Sequence, residues 1–365
     1  MSVLQVGKYY DPYIGGMETV LMNLCQAINS KVKLSLIVAN TELRTSHENS
    51  DFPITRVGCL GTLFSCPVSP LFPYWMKKYS ADIIHVHMPN PLAELSYLLS
   101  GNSGKLIAHF HSDIVRQKML LSFYEPFLTR FYDLADRIIV PTPHHIACSN
   151  MLTRYREKCK VVPYGISLDE FGVDETEKMI VGELKEEVPT LLFVGRLVYY
   201  KGLDVLIRAM SSIDARLWIV GTGNLEASLR RLTAKLGLEN KIDFLGSVPR
   251  RELICRYHAC DLVVLPSVAN SEMFGMVQLE AMACNKPVVA TNLPTGVSWV
   301  NQNGITGFLV PPGDELALVR VINRLIDSHS LRDELGGAGR ERVEEVFTID
   351  NMVNGVLEVY NEAMQ

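Results

Sequence analysis

Residues 189–207 read PTLLFVGRLVYYKGLDVLI, and their reading decides how the whole chain divides. A short apolar run ends on Gly195-Arg196 as a buried strand would, and Lys201-Gly202 then opens a segment of helical period. This is a fresh strand-to-helix start in mid-chain. It is followed by further strand candidates RLWIVG (216–221), KIDFLG (241–246), DLVVLP (261–266) and KPVVAT (286–291). An earlier series of the same kind runs VLQVG (3–7), LSLIVA (34–39), DIIHVH (82–87), KLIAHFH (105–111) and RIIVP (137–141), with helical segments at 17–28 and 118–135. Short β-branched runs alternating with longer helical ones imply parallel strands joined by crossover helices. Between the series, residues 167–188 are charged, hold few large apolar residues and show no strong period, so they read as a linker with the boundary near 170. The expectation is two doubly wound α/β domains facing across a cleft, the first spanning 1–169. In such sheets ligands bind beyond the carboxyl ends of the strands, so the loops after strands and the cleft are where a site is expected.

Composition narrows the function. A chain of 365 residues is long for one core and suits two domains of roughly 150 to 200 residues. A net charge of −5 gives no bulk attraction to nucleic acid. The eight cysteines form no C-x-x-C pair, which reads as reduced thiols rather than a zinc cluster or disulfide framework. The start MSVLQVGKYY has a strand's pattern rather than a signal peptide's, and no apolar run reaches the ~18 residues that span a bilayer. A cytoplasmic protein with at most peripheral membrane contact is expected.

Several motifs carry chemistry. Gly15-Gly16 precedes a helix, where paired glycines admit a ligand close to the backbone and the helix start offers N–H groups to an anion; a plain tight turn has the same sequence. Arg196 and Lys201 bracket a strand-to-helix turn and suit a diphosphate, although two solvated cations would look alike. IVGTGNLEA, which includes Gly221, starts as a dinucleotide fingerprint but has Glu226 where the third small residue is required, which argues against a nicotinamide dehydrogenase.

The stretch NSEMFGMVQLE (270–280) holds Glu272 and Glu280 eight positions apart. Glu175 and Glu183 share that spacing in the linker, so spacing alone settles nothing. Context separates the pair: DLVVLPS ends a strand, ANSEMFG is a loop, and MVQLEAMA is a helix entered through Gly275. At ~1.5 Å rise per helical residue the two carboxylates fall roughly 8 to 12 Å apart, suited to opposite ends of a nucleotide-sugar. The histidines of HVH (85, 87) and HFHSD (109, 111) end two strands, and residues i and i+2 share a face. Zinc held by His87, His109 and His111, a functional His111, and a structural set are the three readings.

Taken together, these residues resemble the retaining glycosyltransferases of family 4, with the GT-B fold of two Rossmann-like domains. The resemblance rests on Gly15-Gly16-Met17-Glu18, HFHSDIVRQK (109–118), VVPYGISLDEF (161–171), VGRLVYYKGLD (194–204), GTGNLEASL (221–229) and SEMFGMVQLEAMACNKPVVAT (271–291). It continues through GFLVPPGD (307–314) and RERVEEVFTIDNMVNGVLEVY (340–360), so it covers essentially the whole chain. It implies a donor domain over 170–347 and a last helix, within 348–365, that crosses back onto the first domain. Arg196 and Lys201 match the pair that holds the donor diphosphate as leaving group. Glu272 matches the carboxylate on the transferred sugar, with the backbone of Met273, Phe274, Gly275 and Met276 beside sugar and phosphates. Glu280 matches the ribose ligand. Gly15, Gly16, Gly195 and Gly221 fall on the donor-binding loops, and His111 matches a histidine whose backbone or ring lies by the reacting sugar. His87, Ser112 and Asp113 fall on the acceptor side.

Glycosyl transfer requires a nucleoside diphosphate to leave while the anomeric carbon takes on oxocarbenium character, so positive charge at the phosphates supplies much of the rate. The chain has no Asp-x-Asp, which points to Arg and Lys rather than a metal, and no cofactor is expected. No carboxylate is an obvious nucleophile, so same-face attack with a phosphate oxygen as base is the expected route to retention. HSDIVRQK resembles bacterial surface-polysaccharide transferases. This favours GDP-mannose as donor, a UDP-sugar next, and a glycan or lipid-linked oligosaccharide as acceptor in O-antigen or capsule synthesis. PLFPYWMKKYS (70–80) offers an aromatic and basic contact to the cytoplasmic face of the inner membrane, or a plain surface helix. The rivals are a sugar-nucleotide epimerase of the same fold and a non-catalytic sugar-nucleotide binder.

Overall fold

The computed structural model describes residues 1–13, 15–63, 66–113 and 118–365, with the backbone alone for 118–123. Residues 114–117, inside the HSDIVRQK stretch, lie outside the described residues. The chain forms two compact units, Met1–Gly165 with Ile349–Gln365, and Ile166–Thr348.

The first unit holds strands β1 (Ser2–Val6), β2 (Lys33–Ala39), β3 (Ser46–Asn49), β4 (Pro53–Val57), β5 (Thr62–Leu63), β6 (Cys66–Pro67), β7 (Ile83–Met88), β8 (Lys105–Phe110), β9 (Arg137–Val140) and β10 (Cys159–Val161). Eight of them form one sheet in the order β10-β9-β8-β7-β1-β2-β4-β3, parallel except at the β3 edge, while β5 and β6 make a separate hairpin. The near-continuous apolar runs of β1 and β7 follow from burial on both faces of a parallel sheet. Edge strand β3, SHEN, is polar and largely exposed, so no apolar run marks it in the sequence.

The second unit holds β11 (Thr190–Val194), β12 (Arg216–Val220), β13 (Ile242–Gly246), β14 (Leu262–Leu265), β15 (Val288–Thr291) and β16 (Gly307–Val310). They form one all-parallel sheet in the order β13-β12-β11-β14-β15-β16. Counted within the unit this is 3-2-1-4-5-6, the Rossmann order, and it reverses between β11 and β14. One core of Leu191, Phe193, Leu206, Leu217, Ile219 and Leu262 packs beneath it.

The linker reading of 167–188 needs correction. Phe171 is buried, and a helix at Glu175–Leu184 starts in a capping box in which Asp174 accepts from the Glu177 N–H and Glu177 reaches back to the Asp174 N–H. Arg251 ties the segment down by donating to the carbonyls of Glu170 and Gly172 at 2.7 and 3.0 Å. The helix buries no side chain, which is why its sequence shows no apolar period. The last helix, Ile349–Met364, belongs to the first unit. It buries Met352, Val353, Val356, Val359 and Tyr360, and Glu362 pairs with Lys160 at 2.8 Å and Arg137 at 3.3 Å. The cysteines are free thiols, and among the described residues no helix is long and apolar enough to cross a membrane.

Candidate functional site

In the second unit the loops after β11 and β14 flank the point where strand order reverses, the position at which a doubly wound sheet leaves a crevice. The β11 loop carries Gly195, Arg196 and Lys201; the β14 loop carries Ser267 and Glu272. Gly221, at the end of β12, has φ 128°, and a Cβ there would stand 2.0 Å from the Gly195 carbonyl oxygen, so only glycine lets the two strand ends close up. The Lys201 ammonium lies close by, 3.4 Å from where a Cβ on Gly195 would stand.

Lys201 and Glu272 form an ion pair, Nζ to Oε2 2.5 Å, with each residue only 8% exposed. The Ser267 hydroxyl donates to the same Oε2 at 3.0 Å. The loop holding Glu272 is pinned in turn: the Thr295 hydroxyl donates to the Glu272 carbonyl at 2.8 Å and the Gly296 N–H to the Met273 carbonyl at 2.8 Å. Sequence reading treats Lys201 as a phosphate cation and Glu272 as a sugar carboxylate. The structure joins them, which leaves the other ammonium hydrogens and Glu272 Oε1 as the groups able to meet a ligand.

Gly275 enters the Met276–Ala283 helix at φ 75°, where a side chain would strike Leu265 and Gln278. The first N–H groups of that helix have no intrahelical partner and carry the positive end of its dipole. Met273 and Phe274 are buried, so their contribution is backbone.

Arg196 stands apart from the pair, exposed and donating to the Tyr200 hydroxyl at 3.1 Å. Glu280 is apart as well. Its Oε1 accepts from Arg250 at 2.7 Å and its Oε2 from the Tyr257 hydroxyl at 2.7 Å, while Arg250 also donates to Glu170 at 2.7 Å. Ser267, Thr295, Arg250 and Tyr257 were not foreseen. They are distant in sequence and carry no motif of their own.

In the first unit the strand order reverses at β1 and β7. The β1 loop leads to Gly15 and Gly16, which start the Gly16–Ile28 helix. A Cβ on Gly15 would lie 2.3 Å from the Glu18 carboxylate, whereas one on Gly16 would meet open space. The helix start therefore already carries a buried carboxylate, Glu18, where sequence reading places a phosphate.

The four strand histidines form a ladder. His85 Nε2 meets His109 Nδ1 at 3.1 Å, His87 Nδ1 meets His111 Nε2 at 2.9 Å, and adjacent rings stack at 4.5–5.2 Å between centroids. Gln5 and Tyr360 close one end and Tyr164 the other. Gln5 Nε2 donates to the Tyr360 hydroxyl at 2.9 Å, its Oε1 sits 2.9 Å from His87 Nε2, Tyr360 is 2.6 Å from His85 Nδ1, and Tyr164 is 2.5 Å from His111 Nδ1. Burial holds all four rings neutral, with the His87 imidazole pushed down to about 3 and the others well below the usual value. A neutral imidazole has one donor and one acceptor nitrogen, so the chain is directional. With Gln5 oriented as it stands, every ring carries its proton on Nε2; turning the amide would reverse all four together.

This network bears on the expectations for His87 and His111. His87, expected on the acceptor side, is fully buried with both nitrogens bound, so its ring supports His111 from behind. The His111 ring is likewise engaged at both nitrogens, so of the two expected contacts, backbone or ring, the main-chain carbonyl is the one these bonds leave uncommitted. Nitrogens of His85, His87 and His109 lie within 4.8 Å of one another. A metal there would take one nitrogen from each of the three rings and displace the hydrogen bond that nitrogen makes, except at His109 Nε2, which has no partner among the described residues. Ser112 is half-buried, and Asp113, raised by burial, accepts from Ser149 at 2.9 Å. Glu94, unforeseen, is a carboxyl pushed up to about 8 by burial; it accepts from the Asn90 N–H at 2.7 Å and from the Tyr124 hydroxyl.

Two Rossmann-like α/β halves, each with its loops gathered at a reversal of strand order, define the GT-B class of glycosyltransferases. Residues 174–342 match the model of glycosyl transferases group 1 and residues 14–170 that of Glycosyltransferase Family 4. The O-antigen chain mannosyltransferase C of Escherichia coli is 31% identical over all of this chain and 99% of its own. D-rhamnosyltransferase WbpZ of Pseudomonas aeruginosa is 31% identical over 95% of this chain and 92% of its own. The solved sucrose-phosphate synthase of Thermosynechococcus elongatus shares the fold, with TM-score 0.83, 23% identity and coverage of 99% and 98% of the two chains. The chain belongs to the family 4 glycosyltransferases and is an enzyme of that kind.

Proposed function

We propose that this enzyme transfers a mannosyl or rhamnosyl-type residue from a nucleotide-sugar, GDP-mannose before a UDP-sugar, to a glycan or lipid-linked oligosaccharide of a bacterial surface polysaccharide such as O-antigen. The observation that carries this reading is the Lys201–Glu272 pair at the reversal of the second sheet. The similarity to the two O-antigen and rhamnosyl relatives over nearly the whole chain supports the sugar.

In this scheme Glu272 Oε1 takes sugar hydroxyls, and the Lys201 ammonium, Arg196 and the Met276–Ala283 helix start neutralise the pyrophosphate. Glu280 takes the ribose. The bond from the anomeric carbon to the phosphate oxygen breaks, and a bond to the acceptor oxygen forms on the same face. The acceptor proton passes to the departing phosphate, so configuration is retained. Because the cations come from side chains, no metal is required. Peripheral membrane contact belongs to the same reading: beside the Phe72–Lys78 helix Leu71 and Tyr74 are 57% and 53% exposed, and the Lys78 ammonium lies 4.7 and 4.5 Å from the ring centroids of Tyr74 and Trp75.

A thermal-shift panel of GDP-, UDP- and ADP-sugars tests the donor, because a ligand that binds only the folded state raises Tm. The largest rise is expected with GDP-mannose, and transfer with retained configuration should survive excess EDTA. No rise with any sugar nucleotide would sink the reading, and product formed without an acceptor would identify an epimerase instead.

A further inference from the structure

The loop after β1, on its way to Gly15-Gly16, builds a second feature that the donor chemistry does not use. Tyr9 and Tyr13 stack, with ring centroids 4.4 Å apart and 28° between planes, and Tyr13 is 48% exposed whereas Tyr9 is buried. Beside them opens a hollow of about 460 Å³, also lined by Asp11, Asn40, Glu48 and Arg56. That volume falls in the range of roughly 300–1,000 Å³ typical of small-molecule pockets.

Its polar groups are pre-set. Arg56 grips Glu48 through Nε to Oε1 at 2.6 Å and Nη2 to Oε2 at 3.3 Å, and the same Nη2 donates to the Asp11 carbonyl at 2.6 Å. The guanidinium thus fixes both the carboxylate and the loop that presents the tyrosines. Asn40 is held in place: its amide donates to the Arg44 carbonyl and its oxygen accepts from the Thr41 N–H. The exposed groups of the lining include the Tyr13 ring and the carboxylates of Asp11 and Glu48.

We propose that this hollow is a subsite for a neutral sugar ring of the acceptor glycan, an inference that rests on the glycosyltransferase reading above. An aromatic face attracts the C–H edge of a pyranose, and carboxylates accept hydrogen bonds from its hydroxyls. Two carboxylates against one guanidinium give the lining a net negative charge, which repels a phosphate or pyrophosphate. The donor's diphosphate and the diphosphate of a lipid carrier are therefore excluded, and the occupant is an uncharged hexose toward the growing end of the chain.

The test uses the full-length protein with methyl α-mannoside and α-1,3-mannobiose as probes, read by saturation-transfer difference NMR in the presence of saturating GDP. Tyr13→Ala, at an exposed position, should cut the ring-proton signal at least fivefold, Tyr13→Trp should keep it, and added inorganic pyrophosphate should leave it unchanged. In transfer assays Tyr13→Ala should raise acceptor KM at least tenfold with donor KM unaltered. Equal probe signals in wild type and Tyr13→Ala, or displacement by pyrophosphate, would overturn the subsite. Failure of the parent reading looks different, since GDP-mannose would then give no thermal shift in the wild-type enzyme.

Discussion

At Lys201 one ammonium faces two demands. It neutralises the buried Glu272 carboxylate, and under the proposed mechanism it also stabilises the departing pyrophosphate. Lys201→Ala should therefore show two effects. Turnover should fall at least ~100-fold, by analogy with loss of one donor to a developing oxyanion. Stability should fall by about 3–5 kcal/mol, because Glu272 would stay buried with the Ser267 hydroxyl still donating to it. Denaturant midpoints and kcat on the same preparation separate the two, and a stable variant with unchanged kcat would remove the leaving-group role. Glu280→Ala should mainly raise donor KM, since ribose contacts are equal in ground and transition states. A collapse of kcat at fixed KM would show that Glu280 does something else. The placement of the two carboxylates, Glu272 in the loop after β14 and Glu280 on the helix that follows, was legible from their context. The pairing of Glu272 with Lys201 was not, because contact across the sheet's reversal point leaves no trace in local sequence.

At the level of elements, β7 and β8 turn four histidines into one hydrogen-bonded object. That i and i+2 share a face was legible, and the alternation in HVH and HFH gives it. What the sequence does not contain is the register that sets His87 beside His109, or Gln5 on the neighbouring strand and Tyr360 on the last helix. Because the chain of donors is directional, 15N NMR of the imidazoles at pH 7 should find all four neutral and in a single tautomer, protonated at Nε2. A mixture of tautomers among them would break the ladder as drawn. The ladder also predicts acid lability. The folded pKa of His87 is about 3, below the ordinary value near 6.5, so between these values the unfolded chain binds more protons than the folded one. Its contribution is complete above pH 6.5 and is lost as pH falls toward 3, at about 1.4 kcal/mol per pH unit for each such histidine. Replacing His87 with Gln should flatten that slope in urea titrations at pH 4–6, and an unaltered slope would place the lability elsewhere.

Across the whole molecule, chain order and unit membership disagree at one place. The last helix follows the second unit in sequence yet completes the core of the first, and Tyr360 also closes the histidine ladder. Nothing in its amphipathic pattern names the partner; the family resemblance alone suggested the return, whereas the two sheets could be read from alternating strands and helices directly. The consequence can be tested by ending the chain after Thr348. The deletion strips Met352, Val353, Val356, Val359 and Tyr360 from the first unit. At about 1.5–3 kcal/mol for each large side chain, that loss rivals the entire 5–15 kcal/mol by which a domain is usually stable. The second unit loses none of its own core. Hydrogen exchange read by mass spectrometry should accordingly show β1, β7 and β8 stripped of protection in the truncated protein, with β11, β12 and β14 protected as before. Restoring residues 349–365 with Tyr360→Phe should recover the protection of β1 but leave His85 without its hydroxyl partner. The two variants thereby separate the helix's packing from its role in the ladder, and retained protection of β7 and β8 in the truncated chain would show that the first unit stands without it.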